Sequence, residues 1–566
     1  MTDGGAAKRS GEPREQAEPA ARRAWWRRVE GLVALALLAA VAAPFWAGRF
    51  LPLLDLPQHL GLASVLLRYR DPAARFSTFY DLRAALDPYW GYYAAMRLLG
   101  LAFPVETANR LLFTAYAVLV PAGAAYVLRA LGRDRRWAVF ALPLVFNTNL
   151  YWGFATFLLS IPVFLFALGL SIRHLGEGLD RRRELALAAA AALLFLFHGQ
   201  TYLLLGPCVI LLLVMGWRGA AWAARKSLTY LPSLLLFGSW FWRDFVALHP
   251  AEVTGHTPEW RSYGSIQGAS LGAGLGIRFD PLAEVVTSLP DRLMGAFRDR
   301  SEQVILWSAA LLFLAALALC RGGAARDGAG APVGWRDRAL RWRGELLALL
   351  LFCSYLFGPA QVSGQFYLNQ RHLIFAALLA PVLLRAPATG LRRWVLGLAA
   401  ALSLGASANA AAKVIAFQGQ VGPFAELVES MEPGGRALGL VFDTGAGGPI
   451  RFWPFLHFAC YYQALRGGDV GFSFAGLPSI PVVYRPGQQA PHPYEWRPQD
   501  FRWETMGRFY DYFLVRGSPR GDAARLADHA VLVKTAGEWR LWHNPGAITR
   551  TDAQPSSSLS PAGLSP

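Results

Sequence analysis

The stretch GLVALALLAAVAAPFWAGRFLPLLDLPQHLG (residues 31–61) leads from an apolar run into a short segment that holds an acid and a histidine. Residues 31–48 are apolar and long enough for a membrane helix, and the arginines before them are typical of a cytoplasmic end. No small-x-small cleavage site follows, so we expect an uncleaved first helix. Asp55, Pro57 and His59 then open an outer loop.

The composition indicates a polytopic membrane protein. Of the 566 residues 54% are hydrophobic and 16% are charged, whereas about a quarter of a soluble domain is charged. The net charge of +17 comes from arginines clustered between apolar runs, which is the positive-inside pattern of a bacterial inner-membrane protein. No basic soluble domain with interleaved aromatic residues is present, so nucleic acid is not an expected partner. The four cysteines imply no disulfide framework.

Apolar runs with arginine at alternate ends predict a polytopic α-helical protein of about 11 transmembrane helices, with the N-terminus cytoplasmic and the C-terminus outside. The residues from 137 to 174 are divided into two short spans at the polar break NTNLYWG (147–153). The other predicted spans are 31–48, 107–131, 184–198, 201–217, 228–243, 304–320, 345–360, 373–386 and 394–412.

The residues after the last span predict a small α/β domain on the outer, periplasmic side. Period-two apolar stretches indicate strands at 437–443, 510–517, 530–537 and 539–544. Helices are predicted in GPFAELVESM (422–431) and WPFLHFACYYQALRG (453–467). The predicted order is a disordered cytoplasmic tail (1–28), a transmembrane domain (29–415) with outer loops 51–105 and 244–303, the α/β domain (416–550) and a disordered tail (551–566).

Ionisable side chains collect at the outer ends of the predicted spans, and the membrane centre carries almost none. A proton-coupled transporter is expected to bury acids near the midplane instead. The pattern favours chemistry at the outer interface on a ligand whose tail lies in lipid. The groups at this depth are Asp55, His59, Asp87, Arg110, His198, Arg243, Asp244, Arg371, His372 and Lys413.

Asp55 and His59 are the candidate catalytic residues. A helix that starts at Leu56 places both side chains on one face. A carboxylate there can take a proton from an acceptor hydroxyl, while a histidine orients that hydroxyl or meets a phosphate. The alternative is structural: Asp55 caps the helix, with Gln58 completing a capping-box-like pair, and His59 is an interfacial polar residue.

The candidate substrate-binding residues are Asp87, His198, Arg243, Arg371 and His372, and each also has a structural interpretation. A guanidinium such as that of Arg371 suits a lipid phosphate, although arginine also snorkels at helix ends. Asp87 before Pro88 fits a helix cap. His198 fits a hairpin tip, as do the polar residues Asn147, Asn149 and Trp152, and Arg243 fits an ion pair with Asp244.

No metal site is predicted. His249, Glu252, His256 and Glu259 lie in the second outer loop, but their spacing matches no compact ligand motif. The chain has no Walker loop, and its Gly-rich stretch 268–276 lies in an outer segment where no nucleotide is expected.

The order of these features resembles the GT-C superfamily of membrane glycosyltransferases, which includes protein O-mannosyltransferases and aminoarabinose transferases of lipid A. The matching features are the first helix, the outer loop with LLDLPQHL, the interfacial helices in that loop and the final domain ending in YDYFLVRG and WRLW. The resemblance covers residues 29–545. It implies a polyprenyl-phosphate sugar donor and an outer-loop acid, Asp55, that acts as base on the acceptor, with Asp87 as a second acid.

Many members of that superfamily have two adjacent acids where this chain has Leu54-Asp55-Leu56. Metal dependence and the acceptor therefore stay open, and no cofactor is assigned. We expect a glycosyltransferase whose partners are membrane lipids and the sugar donor. The alternatives are a polymerase or ligase of surface polysaccharide, and a non-catalytic transporter or assembly subunit.

Overall fold

The computed structural model describes residues 20–176, 178, 180–243, 277–321, 335–362, 365–477 and 480–548. The predicted tail 551–566, residues 244–276 of the second outer loop and most of the predicted tail 1–28 lie outside these residues. The same holds for Asp244, for the four acids and histidines considered above as metal ligands, and for the Gly-rich stretch.

Apart from one short strand near residue 80, the regular structure of the described residues up to 429 is helical. The α-helices there are α1 (Ala20–Ala42), α2 (Leu56–Leu67), α3 (Phe76–Phe79), α4 (Trp90–Leu99), α5 (Val105–Ala130), α6 (Thr148–Trp152), α7 (Ala155–Gly176), α8 (Arg181–Phe197), α9 (Gly199–Met215), α10 (Ala220–Ser227), α11 (Leu231–Phe241), α12 (Leu282–Thr287), α13 (Leu289–Met294), α14 (Ser301–Arg321), α15 (Trp335–Phe357), α16 (Leu368–Leu379), α17 (Arg392–Val421) and α18 (Phe424–Glu429).

Five helical segments of the described chain are long and apolar enough to cross a membrane: Arg28–Trp46, Val105–Ala130, Ala155–Gly176, Ser301–Cys320 and Arg392–Val421. Shorter apolar helices are Leu56–Leu67, Gly199–Met215 and Leu368–Leu383. A helix also lies at each of the other spans predicted after residue 183. The exact number of spans stays a prediction.

The region 137–174 differs from the prediction of two short helical spans. Its first part consists of two 3₁₀ segments, Arg135–Ala141 and Pro143–Phe146, and only its second part is a long α-helix, α7. Pro143 begins the second 3₁₀ segment, because proline fits the first turn of a helix but not its interior. The polar break forms α6, a single turn that ends at Gly153 with φ +80°.

The last part of the chain forms a mixed sheet. Its strands are β2 (Arg436–Val441), β3 (Asp469–Val470), β5 (Tyr512–Arg516), β6 (Val531–Ala536) and β7 (Trp539–His543), in the order β3-β2-β5-β7-β6. β2 is parallel to β3 and β5, while β7 is antiparallel to β5 and β6. The four predicted strands are confirmed. The helices here are α19 (Cys460–Arg466) and α20 (Trp503–Met506), so the predicted helix 453–467 is wrong for 453–459.

The sheet domain is attached to the first outer loop by two contacts. α2 packs lengthwise against α19. In addition β1 (Tyr80–Leu82) pairs antiparallel with β4 (Val482–Tyr484), so one strand comes from each side of the interface.

Candidate active site

The backbone around Asp55 is hydrogen-bonded to a short hairpin between α6 and α7, at residues 151–154. The Asp55 amide donates to the carbonyl of Trp152 over 3.1 Å, and the Leu54 amide donates to that of Tyr151 over 3.1 Å. Gly153 lies directly behind them: a Cβ there would be 2.6 Å from the Asp55 nitrogen. With φ +80° as well, this position requires glycine. The hairpin therefore fixes the position of the Asp55 backbone at the start of the first outer loop.

The Asp55 side chain does not make the capping hydrogen bond that the sequence suggested. Asp55 occupies the N-cap position of α2, but its carboxylate accepts no bond from that helix. Gln58 does not complete a capping box either. Its Nε2 donates to the Phe472 carbonyl over 3.1 Å, and its Oε1 accepts from the Phe474 amide over 3.1 Å. Both residues of the expected cap face the sheet domain instead.

The partner of the Asp55 carboxylate is His457, from the sheet domain. Nδ1 of His457 lies 3.4 Å from Oδ1 of Asp55 and 3.2 Å from the carbonyl oxygen of Leu54. Nε2 lies 3.2 Å from Oε2 of Glu495. The three side chains are exposed by 16%, 4% and 13% for Asp55, His457 and Glu495. His457 is thus enclosed, while both carboxylates keep an accessible edge.

Electrostatics makes His457 a cation at this site. Burial alone would lower the pKa of His457, but the Glu495 and Asp55 carboxylates outweigh it and raise that pKa to about 10. His59 is the opposite case. Burial in α2, which is not among the five long apolar segments, lowers the pKa of His59 to about 4 despite the attraction of Asp55. Asp55 therefore has one charged and one neutral histidine beside it.

His59 lies close to Asp55, as the spacing predicted, but within an aromatic cage. Its Nδ1 shares a hydrogen bond of 2.9 Å with the Tyr93 hydroxyl, and its ring packs on Tyr92 and Phe474. The side chain of His59 is 7% exposed. This placement suits a residue that orders the groups around Asp55.

Arg371 lies over the ring of Phe154, at 4.4 Å from the ring centre, in the first turn of α16. Its Nη1 donates to Oε1 of Gln200 over 3.3 Å. Gln200 is held in turn by His372: their Nε2 atoms are 3.0 Å apart, and Nδ1 of His372 donates to the Ser354 carbonyl over 3.2 Å. His372 therefore orients the side chain that binds Arg371.

The charge of Arg371 has no carboxylate partner within the part of the chain that the structure describes, and its Nε has no hydrogen-bond acceptor there. It interacts electrostatically with Tyr89, Asp55 and Tyr367. Tyr89 and Tyr367 both have positive φ, 78° and 60°, which is a strained conformation for a side chain of this size. Arg371 is thus a cation that keeps donors available near Asp55.

A group of aromatic rings lies around Trp152, whose carbonyl accepts from the Asp55 amide. Its ring centre is 4.9 Å from that of Tyr367 and 4.8 Å from that of Phe452. Trp453 is next to Phe452 and meets Trp496 edge-on at 4.7 Å. The sheet domain and the membrane domain both contribute to this group, which offers ring faces to a substrate beside Asp55.

Asp87 and Arg243, two of the candidate substrate-binding residues, bind each other. The Asp87 carboxylate is 0% exposed and pairs with both Arg83 and Arg243. A carboxylate that is enclosed between two guanidiniums is a structural ion pair. Arg243 thus pairs with Asp87, and its predicted partner Asp244 lies outside the described residues.

His198 has a capping role. Its Nδ1 accepts from the Thr201 amide over 3.3 Å at the start of α9, and its ring packs edge-on against Tyr89 and Phe157. Asn147 likewise caps α6 through the Asn149 amide. These side chains shape the walls of the site and bind their own neighbours.

The residues around Asp55 do not form a three-ligand metal site in the part of the chain that the structure describes. In the described ranges no group of three or more His, Cys, Asp or Glu side chains is placed to hold an ion. Both ring nitrogens of His457 are taken by Glu495 and by the Asp55–Leu54 segment.

His457 and Glu495 were missed in the sequence. His457 lies in an apolar stretch that was interpreted as a helix, and Glu495 lies in a Pro-rich loop. No local spacing relates either residue to Asp55. The one indirect signal was Gln58, a polar residue beside Asp55 whose binding partner proves to be the segment that packs on His457.

Comparison with solved structures shows a similar fold in ArnT from Cupriavidus metallidurans, determined in the apo state. The TM-score is 0.54 and the identity 12%, over 94% of this chain and 100% of that chain. Arabinofuranosyltransferase AftD from mycobacteria matches with a TM-score of 0.47 and 17% identity, over 91% of this chain and 41% of that chain. No family model and no curated protein sequence matches. The likeness to ArnT shows that this chain shares the fold of that protein.

Proposed function

We propose that this protein is a membrane glycosyltransferase of the GT-C type that moves a sugar from a polyprenyl-phosphate donor to an acceptor on the periplasmic face. Asp55 is the general base and Arg371 neutralises the leaving phosphate. The observation that carries this proposal is the placement around the Trp152–Phe154 hairpin of a partly exposed carboxylate and of a guanidinium that has no carboxylate partner among the described residues. Opposite charges at one site match the two ends of a sugar-transfer reaction.

The transfer has a simple balance of bonds and charges. The acceptor hydroxyl oxygen forms a bond to the anomeric carbon, and its proton passes to the Asp55 carboxylate. The bond between that carbon and the phosphate oxygen breaks, so the electron pair stays on the polyprenyl phosphate. Arg371 offers donors to the phosphate as this charge develops. A positioned base contributes about 10²- to 10⁴-fold to such a step.

The depth of the site suits a lipid-borne donor. Asp55 follows the first long apolar segment, and Arg371 begins the apolar helix Leu368–Leu383. Charged groups at helix ends lie near the lipid–water interface, where a polyprenyl chain can stay in the hydrocarbon while its phosphate reaches Arg371. The rings of Trp152 and Tyr367 are placed to pack on the apolar face of a sugar.

Mass spectrometry of lipid extracts tests the function. A deletion strain is complemented with wild type, Asp55→Asn, or Asp81→Asn as a matched control. Asp81 lies in the same outer loop, is 47% exposed and pairs with Arg485. We expect one glycosylated product to disappear in the deletion strain, to return with wild type and Asp81→Asn, and to stay absent with Asp55→Asn at equal protein level.

Other outcomes separate the alternatives. A deletion strain with unchanged glycoconjugates rejects the transferase. Full recovery with Asp55→Asn removes Asp55 from the mechanism. Loss of a long polymer together with accumulation of its lipid-linked repeat unit indicates a polymerase or ligase, and accumulation of the intact donor with Asp55→Asn fully active indicates a transporter.

A further inference from the structure

We propose that the sheet domain is part of the active site, and that His457, bound between Glu495 and Asp55, is the positioning residue that aims the Asp55 carboxylate at the acceptor. This inference rests on the proposed function. It gives the sheet domain a role, and it assigns two residues that lie far from Asp55 in the sequence.

His457 is the side-chain partner of Asp55 in the described structure. The carboxylate makes no bond to its own helix, and the contact of 3.4 Å between Oδ1 and Nδ1 of His457 restrains it. The same nitrogen lies 3.2 Å from the Leu54 carbonyl, so the ring is also fixed to the backbone beside Asp55. A base that is held at one oxygen keeps the other directed at its substrate.

The ring of His457 is held in place by two phenylalanine rings. Phe472 stacks on it with a centroid distance of 5.7 Å and an angle of 14°, and Phe474 meets it edge-on at 5.6 Å. Gln58 binds the backbone of both phenylalanines, three residues after Asp55. The segment that holds Asp55 therefore also holds the residues that hold His457.

The contact between α2 and the sheet domain is extensive, and it is polar as well as apolar. Ser64 donates to the Ala464 carbonyl over 2.7 Å, and Arg68 donates to the Leu465 carbonyl over 3.2 Å. A Cβ at Gly61 would lie 2.2 Å from Oε1 of Gln463. This close approach of α2 and α19 fixes the distance between Asp55 and His457.

The charges of Asp55, His457 and Glu495 do not cancel. A single imidazolium between two carboxylates leaves the trio with a net negative charge, so Asp55 is held without being fully neutralised and can still accept a proton. The other titratable groups around His457 and Glu495 are His59, Cys460 and Tyr494. Burial lowers the pKa of His59 and raises those of Cys460 and Tyr494, so these three are neutral at pH 7.

Two variants test the inference, because they change the charge around Asp55 in opposite directions: one removes a cation and the other removes an anion. His457→Asn removes the cation but keeps a donor near the Nδ1 position, so Asp55 binds its proton more tightly. Glu495→Gln keeps volume and leaves His457 to Asp55 alone, so Asp55 releases its proton more readily. His529→Asn is the control, since His529 lies exposed in the same domain and stacks on Trp503.

The assay is the pH dependence of transfer, with lipid extract of the source strain supplying donor and acceptor and the product lost in the deletion strain as readout. For His457→Asn we expect the acid limb to move up by about one pH unit, and for Glu495→Gln to move down by a similar amount. We expect kcat of His457→Asn to fall about 10- to 100-fold with KM for the lipid donor unchanged, because misplacement of a base by about 1 Å costs that much.

An acid limb that neither variant moves, or that both move in the same direction, overturns the inference. Glu495→Gln keeps the test valid if His457→Asn fails to fold. Asp55→Asn is assayed alongside. If it is inactive while the two other variants keep the wild-type profile, the proposed function stands and the inference fails. If Asp55→Asn is as active as wild type, the proposed mechanism itself fails.

Discussion

The guanidinium carbon of Arg371 lies 4.4 Å above the ring centre of Phe154, two residues after Trp152, whose carbonyl binds the Asp55 amide. One short hairpin therefore positions both the candidate base and the candidate phosphate ligand. Gly153 lies between Trp152 and Phe154, so the spacing between Asp55 and Arg371 depends on its backbone conformation.

Gly153→Ala is expected to reduce transfer and stability together. The new Cβ would lie 2.6 Å from the Asp55 nitrogen, in a backbone with φ +80°, so the Asp55 segment must move. Gly132→Ala is the control: its φ is +71° but nothing lies within 4 Å, so it carries the strain alone, about 1 kcal/mol. Thermal unfolding and transfer rate are measured for both. Equal activity of the two variants would contradict this role of the hairpin.

Arg371→Gln is expected to weaken binding of the lipid donor and to have a smaller effect on the acid limb of the pH profile. Loss of a charge-assisted hydrogen bond costs about 1.5–3 kcal/mol, which is about 10- to 100-fold in affinity. The measurement is binding of polyprenyl phosphate to the purified protein. Unchanged binding would remove Arg371 as the phosphate ligand.

Gln200→Leu tests whether His372 acts through Gln200. The substitution removes the acceptor of Arg371 Nη1 and the donor to His372 Nε2. We expect a several-fold rise in KM for the donor, smaller than for Arg371→Gln, since the Phe154 ring still holds the guanidinium. If His372→Asn then adds nothing to Gln200→Leu, the two residues act in one chain.

Stability should depend on pH through His457. Its pKa is raised to about 10 from the ordinary 6.5, so the stabilisation from its charged form is complete below pH 6.5 and is lost as pH rises through 10. The unfolding temperature in detergent is measured between pH 6 and 10. We expect a smaller decline for His457→Asn than for wild type, and no such difference for His529→Asn.

Asp87→Asn should affect folding and leave the kinetics of the folded protein alone. The substitution leaves Arg83 and Arg243 without the carboxylate that pairs them. Breaking a buried ion pair costs about 3–5 kcal/mol. The yield and unfolding temperature of the variant are compared with those of Asp81→Asn. A normal yield with a raised donor KM would instead return Asp87 to the substrate site.

The main architecture could be predicted because its signals are local. The apolar run before Asp55 and the arginines at span ends are set by transfer free energies of single residues. The short apolar runs of β2 and β5 are typical of buried strands. The cap at Asp55 failed for the opposite reason. A carboxylate at an N-cap position can bind its own helix or a distant group, and the sequence does not rank the two.

The sequence by itself determined the long apolar helical segments, the strands that follow them and the presence of an acid and a histidine after the first helix. The tertiary structure decided which polar groups share a site. His457 and Glu495 reach Asp55 because α19 packs on α2, whereas Asp87 is closed off by Arg83 and Arg243. Hydrophobic periodicity is a property of neighbouring residues, but the partner of a buried charge is fixed by contacts between segments hundreds of residues apart, and only the packed fold contains those.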